Sequence, residues 1–481
     1  MPFAKEIQTT VIGLLAAFFL VALAAGYWAV TGPDTILSRE DNPRLVEAES
    51  SILRGRLYDR DMGLLARSLA TESGIAERTY TAPAMNSVLG YYSLRYGVGG
   101  LEATYDALLS GTTLPDNWNS FVRESLLHEA RIGYDVQLTL DLNIQQDIVA
   151  AMSDHTGAAV VISVPSGEVL SLVSLPTYDP NMLDTDWETL VEAEDNPFFN
   201  RVLQGQYQPG STMQTLLLAA ASLANVNLER QISDATQIIT IDDLELSCLF
   251  TPPRDTLSLS EGYGYVCPAP FVSVAEQLGE DTVYGYLDRI SDRQTTLLQA
   301  FATTTPTEGS TPTATPEASE EPNLLEEVMG QGNRTVSPLT LSSMVAALLS
   351  NGSTRQPHTV LATRAPQTED WQAYVVQSNP IPFFTEDTAI VLYNAMRTAF
   401  SRSPIAEMER PEGVEIGGHY GISHTGDGQV LWFVGFVRMP STRSASIVIV
   451  LEPEASIDDL NSIIEQTITS TISNLAENNP S

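Results

Sequence analysis

Residues 206–223 read QYQPGSTMQTLLLAAASL, and this stretch decides how the whole chain is interpreted. A Pro-Gly pair inside it predicts a turn that presents Ser211 at the start of a helix. The residues that follow, 212–225, are strongly apolar, so the helix is predicted to be buried. Gln214 stands three residues after the serine, on the same helix face, where one well-known kind of serine acyl-enzyme would need a lysine.

The same four residues support a second interpretation. The run Ser-Thr-Met-Gln at 211–214 fits a capping box, in which a first hydroxyl and a later Glu or Gln side chain each bond to backbone N–H groups. We favour this interpretation, because the amide of Gln214 has no basic lone pair at neutral pH and cannot take the proton of Ser211. The serine is then expected to start a helix and not to react.

Charge composition limits both the partners and the chemistry. The 481 residues include 60 acidic and 24 basic side chains, for a net charge of −36, and 43% are hydrophobic. Two or three folded domains are therefore expected, and nucleic acid is excluded as a partner because phosphate binding needs a basic surface. Lys5 is the only lysine and the other 23 basic residues are arginines. No mechanism in the body of the protein can use a lysine base.

The cysteine and histidine content argues against a metal site and a cofactor. Cys248 and Cys267, 19 residues apart, are the only cysteines, and the five histidines are scattered. Neither set has the spacing of a zinc site, so no metal or cofactor is expected. The two cysteines are predicted to form a disulfide if the body lies outside the cytoplasm; a free buried thiol is the alternative.

Residues 10–30, TVIGLLAAFFLVALAAGYWAV, form an uncharged apolar run long enough to span a bilayer. A cleaved signal peptide is the competing hypothesis, because Ala-Leu-Ala at 22–24 resembles a cleavage site. The run is longer than the usual core of a signal peptide, so an uncleaved anchor is favoured. We therefore predict a single-pass plasma-membrane protein with residues 1–9 in the cytoplasm and the main body outside it.

The rest of the chain predicts an α+β architecture, because early and late strands enclose a helical region. Residues 303–322 are dominated by Thr, Pro, Ser and Glu and are predicted to be a disordered insertion. The other predicted elements, which follow a linker at 31–50, are a hairpin at 54–69, a helix near Gly100, a strand and a helix capped by Asp141 at 135–152, a hairpin at 157–176, two late strands, and a helix at 456–475.

Several of these stretches, in this order, resemble the class B penicillin-binding proteins, the membrane-anchored transpeptidases of bacterial wall synthesis. The similarity covers about residues 50–450. Its segments are RGRLYDRDMGLLA at 54–66, GLEATYDALLSG at 100–111, VQLTLDLNIQ at 136–145, GAAVVISVPSGEVLSLVSLPTYDPN at 157–181, NPFFNRVLQGQYQPGSTMQ at 196–214, GQGNRTVSPLTLSSMVAALLSNG at 330–352, and SHTGDGQVLWFVGF at 423–436.

The resemblance implies the fold and the division into domains. It implies an antiparallel sheet between helical layers, shared with serine β-lactamases, over residues 153–479. This transpeptidase-like domain would stand on an N-terminal pedestal or dimerisation-like domain at 31–152, after the anchor at 10–30. It also implies work in peptidoglycan synthesis or cell division, with polytopic wall polymerases and division proteins as partners.

Carried over residue by residue, the resemblance places Ser211 on the nucleophile of Ser-x-x-Lys and Gln214 on its lysine. The second motif, Ser-x-Asn, aligns with Val266 and Pro268, neither of which can relay a proton. The third, Lys-Thr-Gly, which supplies a cation for the substrate carboxylate, becomes the run His424, Thr425 and Gly426.

Three functions remain open at this point. The favoured hypothesis is an inactive scaffold or regulator, because the base that activates the serine is lost. The second is a divergent acyl-enzyme in which His424 activates Ser211; Asp427 is the nearest carboxylate in sequence. The third is a module whose cleft binds wall peptide or β-lactam without forming a covalent bond.

Overall fold

The computed structural model describes residues 4–32, 49–72, 74–113, 129–299, 323–375, 379–426, 428–441 and 443–477. The predicted insertion at 303–322, Asp427 and most of the predicted linker at 31–50 lie outside these residues. The helices in the described part are α1 Ala4–Gly32, α2 Asn86–Leu89, α3 Gly100–Thr104, α4 Asp106–Leu109, α5 Leu142–Ala151, α6 Leu183–Val191, α7 Met213–Leu223, α8 Leu259–Gly264, α9 Ala269–Leu278, α10 Glu280–Gln299, α11 Leu324–Val328, α12 Pro338–Leu349, α13 Glu386–Phe400 and α14 Ile457–Glu477.

The strands are mostly short before residue 150 and long in the later part of the chain. They are β1 Leu57–Tyr58, β2 Leu64–Ala70, β3 Ala76–Tyr80, β4 Tyr91–Ser93, β5 Gly97–Gly99, β6 Asp135–Leu138, β7 Gly157–Val164, β8 Val169–Leu175, β9 Gln231–Ile232, β10 Ile239–Ile241, β11 Leu244–Leu246, β12 Leu257–Ser258, β13 Ser353–Thr354, β14 Val360–Arg364, β15 Gln372–Ala373, β16 Ile381–Pro382, β17 Glu415–Thr425, β18 Gly428–Arg438 and β19 Ser444–Leu451.

The chain divides into two compact units. The smaller takes in the described residues of Met1–Leu53, Leu69–Glu77 and Asp116–Ile132. It contains α1, in which the window Gln8–Ala25 is long and apolar enough to cross a membrane and is not buried by any other part of the described structure. The predicted span at 10–30 lies within this helix, while its orientation in the membrane stays a prediction.

The larger unit takes in Arg54–Ser68, Arg78–Pro115 and Gly133–Ser481. Its central feature is a five-stranded sheet in the order β17-β18-β19-β7-β8, with every neighbouring pair antiparallel. Paired residues alternate between two cores: Val160 opposite Val448 belongs to one, and Val161 opposite Ile447 to the other. The period of two places successive side chains on opposite faces, so both faces of this sheet are buried.

Helices cover each face of the sheet. On one face, α5 and α14 pack their apolar sides against the strands through residues such as Ile148 and Ile464. On the other, α12 and α7 lie in the second core, with Val345 and Leu217 buried there. The prediction of an α+β fold with an antiparallel sheet between helical layers is confirmed.

A smaller sheet has β15, β14, β6 and β1 in the same unit, and the predicted hairpin at 54–69 forms part of this sheet. Its strand β1 pairs antiparallel with β2 and parallel with β6, and β14 pairs with β6 and β15. The carboxylate of Asp59 closes the hairpin turn by accepting from the backbone N–H groups of Asp61 and Gly63. The boundary between pedestal and transpeptidase-like domain near residue 152 stays a prediction.

Candidate functional site

Residues from all three aligned motifs line one cleft, whose volume is about 290 Å³. Ser211, Gln214, Val266, Pro268 and His424 all contribute to its walls, although they come from three separate parts of the chain. The cleft is bounded further by Glu245, Leu246, Ser247, Cys248, Leu249, Val328, Met329, Gln331, Ile422 and Gln429.

A close backbone contact positions Ser211 beside strand β17. Gly210, which precedes it, has φ +51° and donates its N–H to the carbonyl oxygen of Gly330 at 3.0 Å. A Cβ at Gly210 would collide with the carbonyl of Ile422. Only glycine fits both the left-handed conformation and this approach, so the turn holds Ser211 against the strand.

The side chain and backbone of Ser211 both contact β17. Its hydroxyl donates to the carbonyl oxygen of Ile422 at 3.5 Å, which is at the limit of a hydrogen bond. Its own carbonyl oxygen lies 3.2 Å from Nε2 of His419, which donates to it. Among the described residues, Ser211 Oγ has no basic hydrogen-bond partner.

The predicted capping box at 211–214 is wrong. The chain enters α7 through a short 3-10 turn, Gly210–Thr212, and no side chain caps either element. The cap positions, Pro209 and Thr212, have helical φ and ψ, whereas a capping residue needs an extended conformation to turn its oxygen back to the first N–H groups. Ser211 therefore lies inside the turn, with its hydroxyl facing β17.

Gln214, which the resemblance aligns with the lysine of Ser-x-x-Lys, is 2% exposed. Its Nε2 donates to the backbone carbonyl oxygen of Cys267 at 3.3 Å. Its Oε1 is buried without a hydrogen-bond partner in the described structure. An amide can hold two chain segments together in this way, but it offers no base to Ser211.

The second aligned motif contributes only apolar groups. Val266 is 3% exposed and has φ +55°, a conformation that is strained for a β-branched residue. Pro268 is the N-cap residue just before helix α9 and has no N–H group. Neither side chain can donate, accept or carry a proton.

A disulfide joins Cys248 to Cys267 next to this motif. It holds residues 245–249 against the cleft, where the sequence did not place them. Phe250 adds to the attachment, because its N–H donates to Tyr265 O at 3.2 Å and its ring meets that of Tyr420 at 5.3 Å. The cysteine pair was the only sequence signal that this segment reaches the site.

His424, from the third motif, is a neutral side chain in the cleft wall. Its backbone N–H donates to Gln331 Oε1 at 3.1 Å, and its Nε2 lies 3.0 Å from Gln429 Nε2. An amide nitrogen only donates, so His424 Nε2 accepts and the ring proton is on Nδ1, which is buried without a partner in the described residues. Burial lowers the pKa of His424, so the ring is uncharged at neutral pH.

Thr425 and Gly426 do not line the cleft. Thr425 ends β17 at the turn into β18, where its hydroxyl donates to Gly428 O at 3.3 Å. The space around Gly426 is open. The third motif therefore contributes only His424 to the cleft among the described residues. Asp427, the nearest carboxylate in sequence, lies outside them.

His419 is a part of the site that the sequence did not reveal. Its ring stacks on Tyr263 with centroids 4.0 Å apart and is 1% exposed. Burial lowers the pKa of His419 to about 3. A neutral imidazole fixed in this way supports the backbone of Ser211, and no pattern in the sequence around His419 indicated this contact.

Comparison with known proteins relates both parts of the chain to one family. Residues 157–473 match the penicillin binding protein transpeptidase domain, and residues 54–134 match the penicillin binding protein A dimerisation domain.

Within the described residues, no group of three or more His, Cys, Asp or Glu side chains is placed to hold a metal ion.

Similar proteins include the peptidoglycan D,D-transpeptidase PbpA of Mycolicibacterium smegmatis, 26% identical over 75% of this chain and 76% of that protein. MrdA of Escherichia coli K12, also a peptidoglycan D,D-transpeptidase, is 25% identical over 57% of this chain and 46% of its own length. The imipenem acyl-enzyme complex of penicillin-binding protein A from Mycobacterium tuberculosis has the same fold, with a TM-score of 0.73 at 23% identity over 88% of this chain and 99% of that one.

Proposed function

The chain belongs to the class B penicillin-binding protein family and is a homologue of proteins of peptidoglycan synthesis, and from this premise we propose that it works there without acyl transfer. It acts as a scaffold or regulator of wall synthesis or cell division. Its body lies outside the cytoplasm, anchored by α1, with 31–152 as the pedestal and 153–479 as the transpeptidase-like domain.

The observation that carries this proposal is that Gln214, an amide, stands three residues after Ser211, where a base would be needed. General-base assistance contributes about 10²–10⁴-fold to reactions of this kind. The side chain at the base position is an amide, and it is engaged with Cys267 O instead of Ser211 Oγ. Without a base, the hydroxyl of Ser211 is an ordinary alcohol that does not attack an amide at a useful rate.

Among the described residues, no side-chain base is hydrogen-bonded to Ser211 Oγ, whose partner is the carbonyl oxygen of Ile422. His424 is the one imidazole among the described lining residues, and its Nε2 already accepts from Gln429. It shares no hydrogen bond with Ser211 in the described structure. Val266 and Pro268, at the second aligned motif, have side chains that cannot relay a proton. Lys5, the only lysine in the sequence, lies before the apolar window Gln8–Ala25 and far from the cleft residues in sequence.

Two other functions have specific support. Ser211 and His424 line the same cleft, and the similar M. tuberculosis protein forms an acyl-enzyme with imipenem, which favours a divergent acyl-enzyme as the second candidate. The cleft itself, with a volume of about 290 Å³, favours a non-covalent module for wall peptide or β-lactam as the third. The proposed protein partners are wall polymerases and division proteins, contacted through the anchor and pedestal.

Labelling with a fluorescent penicillin separates the three functions. The purified chain and its Ser211→Ala variant are incubated with the reagent, denatured and compared on a gel. The proposed function predicts no covalent label in either. A label on the parent chain that Ser211→Ala abolishes would establish the divergent acyl-enzyme, whereas saturable muropeptide binding without label would favour the non-covalent module.

A further inference from the structure

The charge of the cleft wall differs from what a carboxylate ligand requires. Of the described residues that line the cleft, none is an arginine or lysine, and Glu245 is the only one that carries a charge at neutral pH. His424 is neutral because burial lowers its pKa. A free carboxylate entering this cleft would meet no cation and one carboxylate, which disfavours it.

The polar groups of the wall are suited to a neutral amide. Three carboxamides line the cleft, those of Gln214, Gln331 and Gln429, together with the hydroxyl groups of Ser211 and Ser247. A carboxamide both donates and accepts, so it can pair with a peptide group or with another primary amide. A carboxylate only accepts hydrogen bonds, so it can pair with the N–H groups of these carboxamides but not with their oxygens.

Two of these carboxamides have an atom without a partner in the described structure. Gln214 Oε1 is an orphaned acceptor and Gln331 Nε2 an orphaned donor, and both are screened from solvent. Burying such groups unpaired costs free energy, which a ligand that pairs with them recovers. Both residues line the cleft, so together they hold one unused acceptor and one unused donor there, which is the complement of an amide group.

We propose that this cleft binds, without covalent reaction, a peptide whose inserted end is a carboxamide in place of a free carboxylate. This inference rests on the part of the proposed function that excludes acyl transfer, since a working acyl-enzyme would consume its ligand, and it names the ligand class of the third candidate function. Glu245 is exposed and lines the cleft, and we assign it as the specificity-determining residue because its carboxylate repels anionic ligands. The carboxamides of Gln214 and Gln331 favour the amide end of the ligand, because they can both donate to it and accept from it.

The test compares two ligands that differ in one group. N-acetyl-D-alanyl-D-alanine and its C-terminal carboxamide are titrated by calorimetry into the full chain in detergent micelles; D,D-peptides are chosen because the similar proteins are D,D-transpeptidases. The carboxamide is expected to bind about tenfold more tightly. Equal affinities, tighter binding of the carboxylate, or no binding of either peptide at millimolar concentration would overturn the inference.

Variants at the rim test the cause of the selectivity. Glu245→Gln is expected to reduce the preference about threefold, and Glu245→Lys is expected to reverse it in favour of the carboxylate. Asp243→Asn and Asp243→Lys are matched controls, because Asp243 is exposed on the same hairpin but does not line the cleft. An equal effect of the Asp243 changes would show that overall charge, not Glu245, sets the preference, and would overturn its role.

The outcome is distinguishable from failure of the proposed function. Acylation of Ser211 by penicillin would contradict the proposed function, and the peptide preference would still be measurable in Ser211→Ala. An absence of peptide selectivity in an unlabelled chain would overturn this inference alone.

Discussion

The side chain of Gln214 is joined to the backbone of Cys267, with 3.3 Å between Nε2 and the carbonyl oxygen. This one contact connects the start of α7, the second aligned motif and the disulfide that holds residues 245–249 at the cleft. The side chain that the resemblance aligns with the family's base here holds the walls of the cleft together.

Replacement of Gln214 by methionine is expected to change the free energy of unfolding by less than about 1 kcal/mol. One long hydrogen bond is lost, but a buried carbonyl oxygen without a partner is removed as well. Gln214→Lys, by contrast, buries an ammonium and is expected to cost about 3 kcal/mol at pH 7. Urea unfolding measures both; a Gln214→Lys variant as stable as the parent would show that the cleft still holds a partner for a cation.

Removal of the disulfide is expected to destabilise the protein by about 3 kcal/mol, because it closes a loop of 19 residues. The double variant Cys248→Ala, Cys267→Ala is compared with the parent by urea unfolding under oxidising conditions. In limited proteolysis, the variant should be cut faster than the parent between residues 245 and 250, where the bond held the chain. Equal protection of this segment in both proteins would show that Phe250 alone secures it.

His419 is expected to make the protein less stable as the pH falls. Its folded pKa of about 3 lies below the unfolded value near 6.5, so the unfolded state binds more protons between these values. Stability is then unaffected by His419 above pH 6.5 and falls by about 1.4 kcal/mol per pH unit below it. Urea unfolding from pH 7.5 to pH 4.5 measures the slope.

The variant His419→Gln isolates this contribution, because carboxylates that titrate in the same range are present in both proteins. It is expected to be less stable at pH 7.5, since the stack on Tyr263 is lost, but its stability should fall less steeply with pH. An unchanged slope would mean that His419 is not held neutral by burial.

Gly210→Ala is expected to destabilise the protein by about 3 kcal/mol or more, because it combines a left-handed conformation with a collision against the carbonyl of Ile422. Gly97→Ala is the control: its φ is +78°, but the space around it is open, so only the cost of a positive φ, about 1–2 kcal/mol, is expected. Thermal unfolding compares the two. Equal losses would show that the turn can move away from β17.

The strands β7 and β8 were predictable because two runs rich in strand-forming residues flank the turn residues at 165–167. The hairpin at 157–176 is present as β7 and β8, and Asp141 caps α5 through the N–H groups of Asn143 and Ile144. These features depend on neighbouring residues, which a single sequence displays.

The details of the cleft depend on contacts between distant segments and were less accessible. Ser211 was expected to cap α7, but the capping pattern competes with the backbone approach of Gly210 to β17, which the sequence does not display. Glu245 and Gln331 reach the cleft only because a disulfide and the packing of α11 bring them there. His419 is recognisable only once its partner, Tyr263, is placed.

The most direct test of the central claim is the intact mass of the purified chain after prolonged incubation with imipenem, the compound that acylates the similar M. tuberculosis protein. The claim that Ser211 lost its activating base predicts an unchanged mass in the parent and in Ser211→Ala. A stable mass increase of one imipenem molecule in the parent, absent from Ser211→Ala, would contradict it.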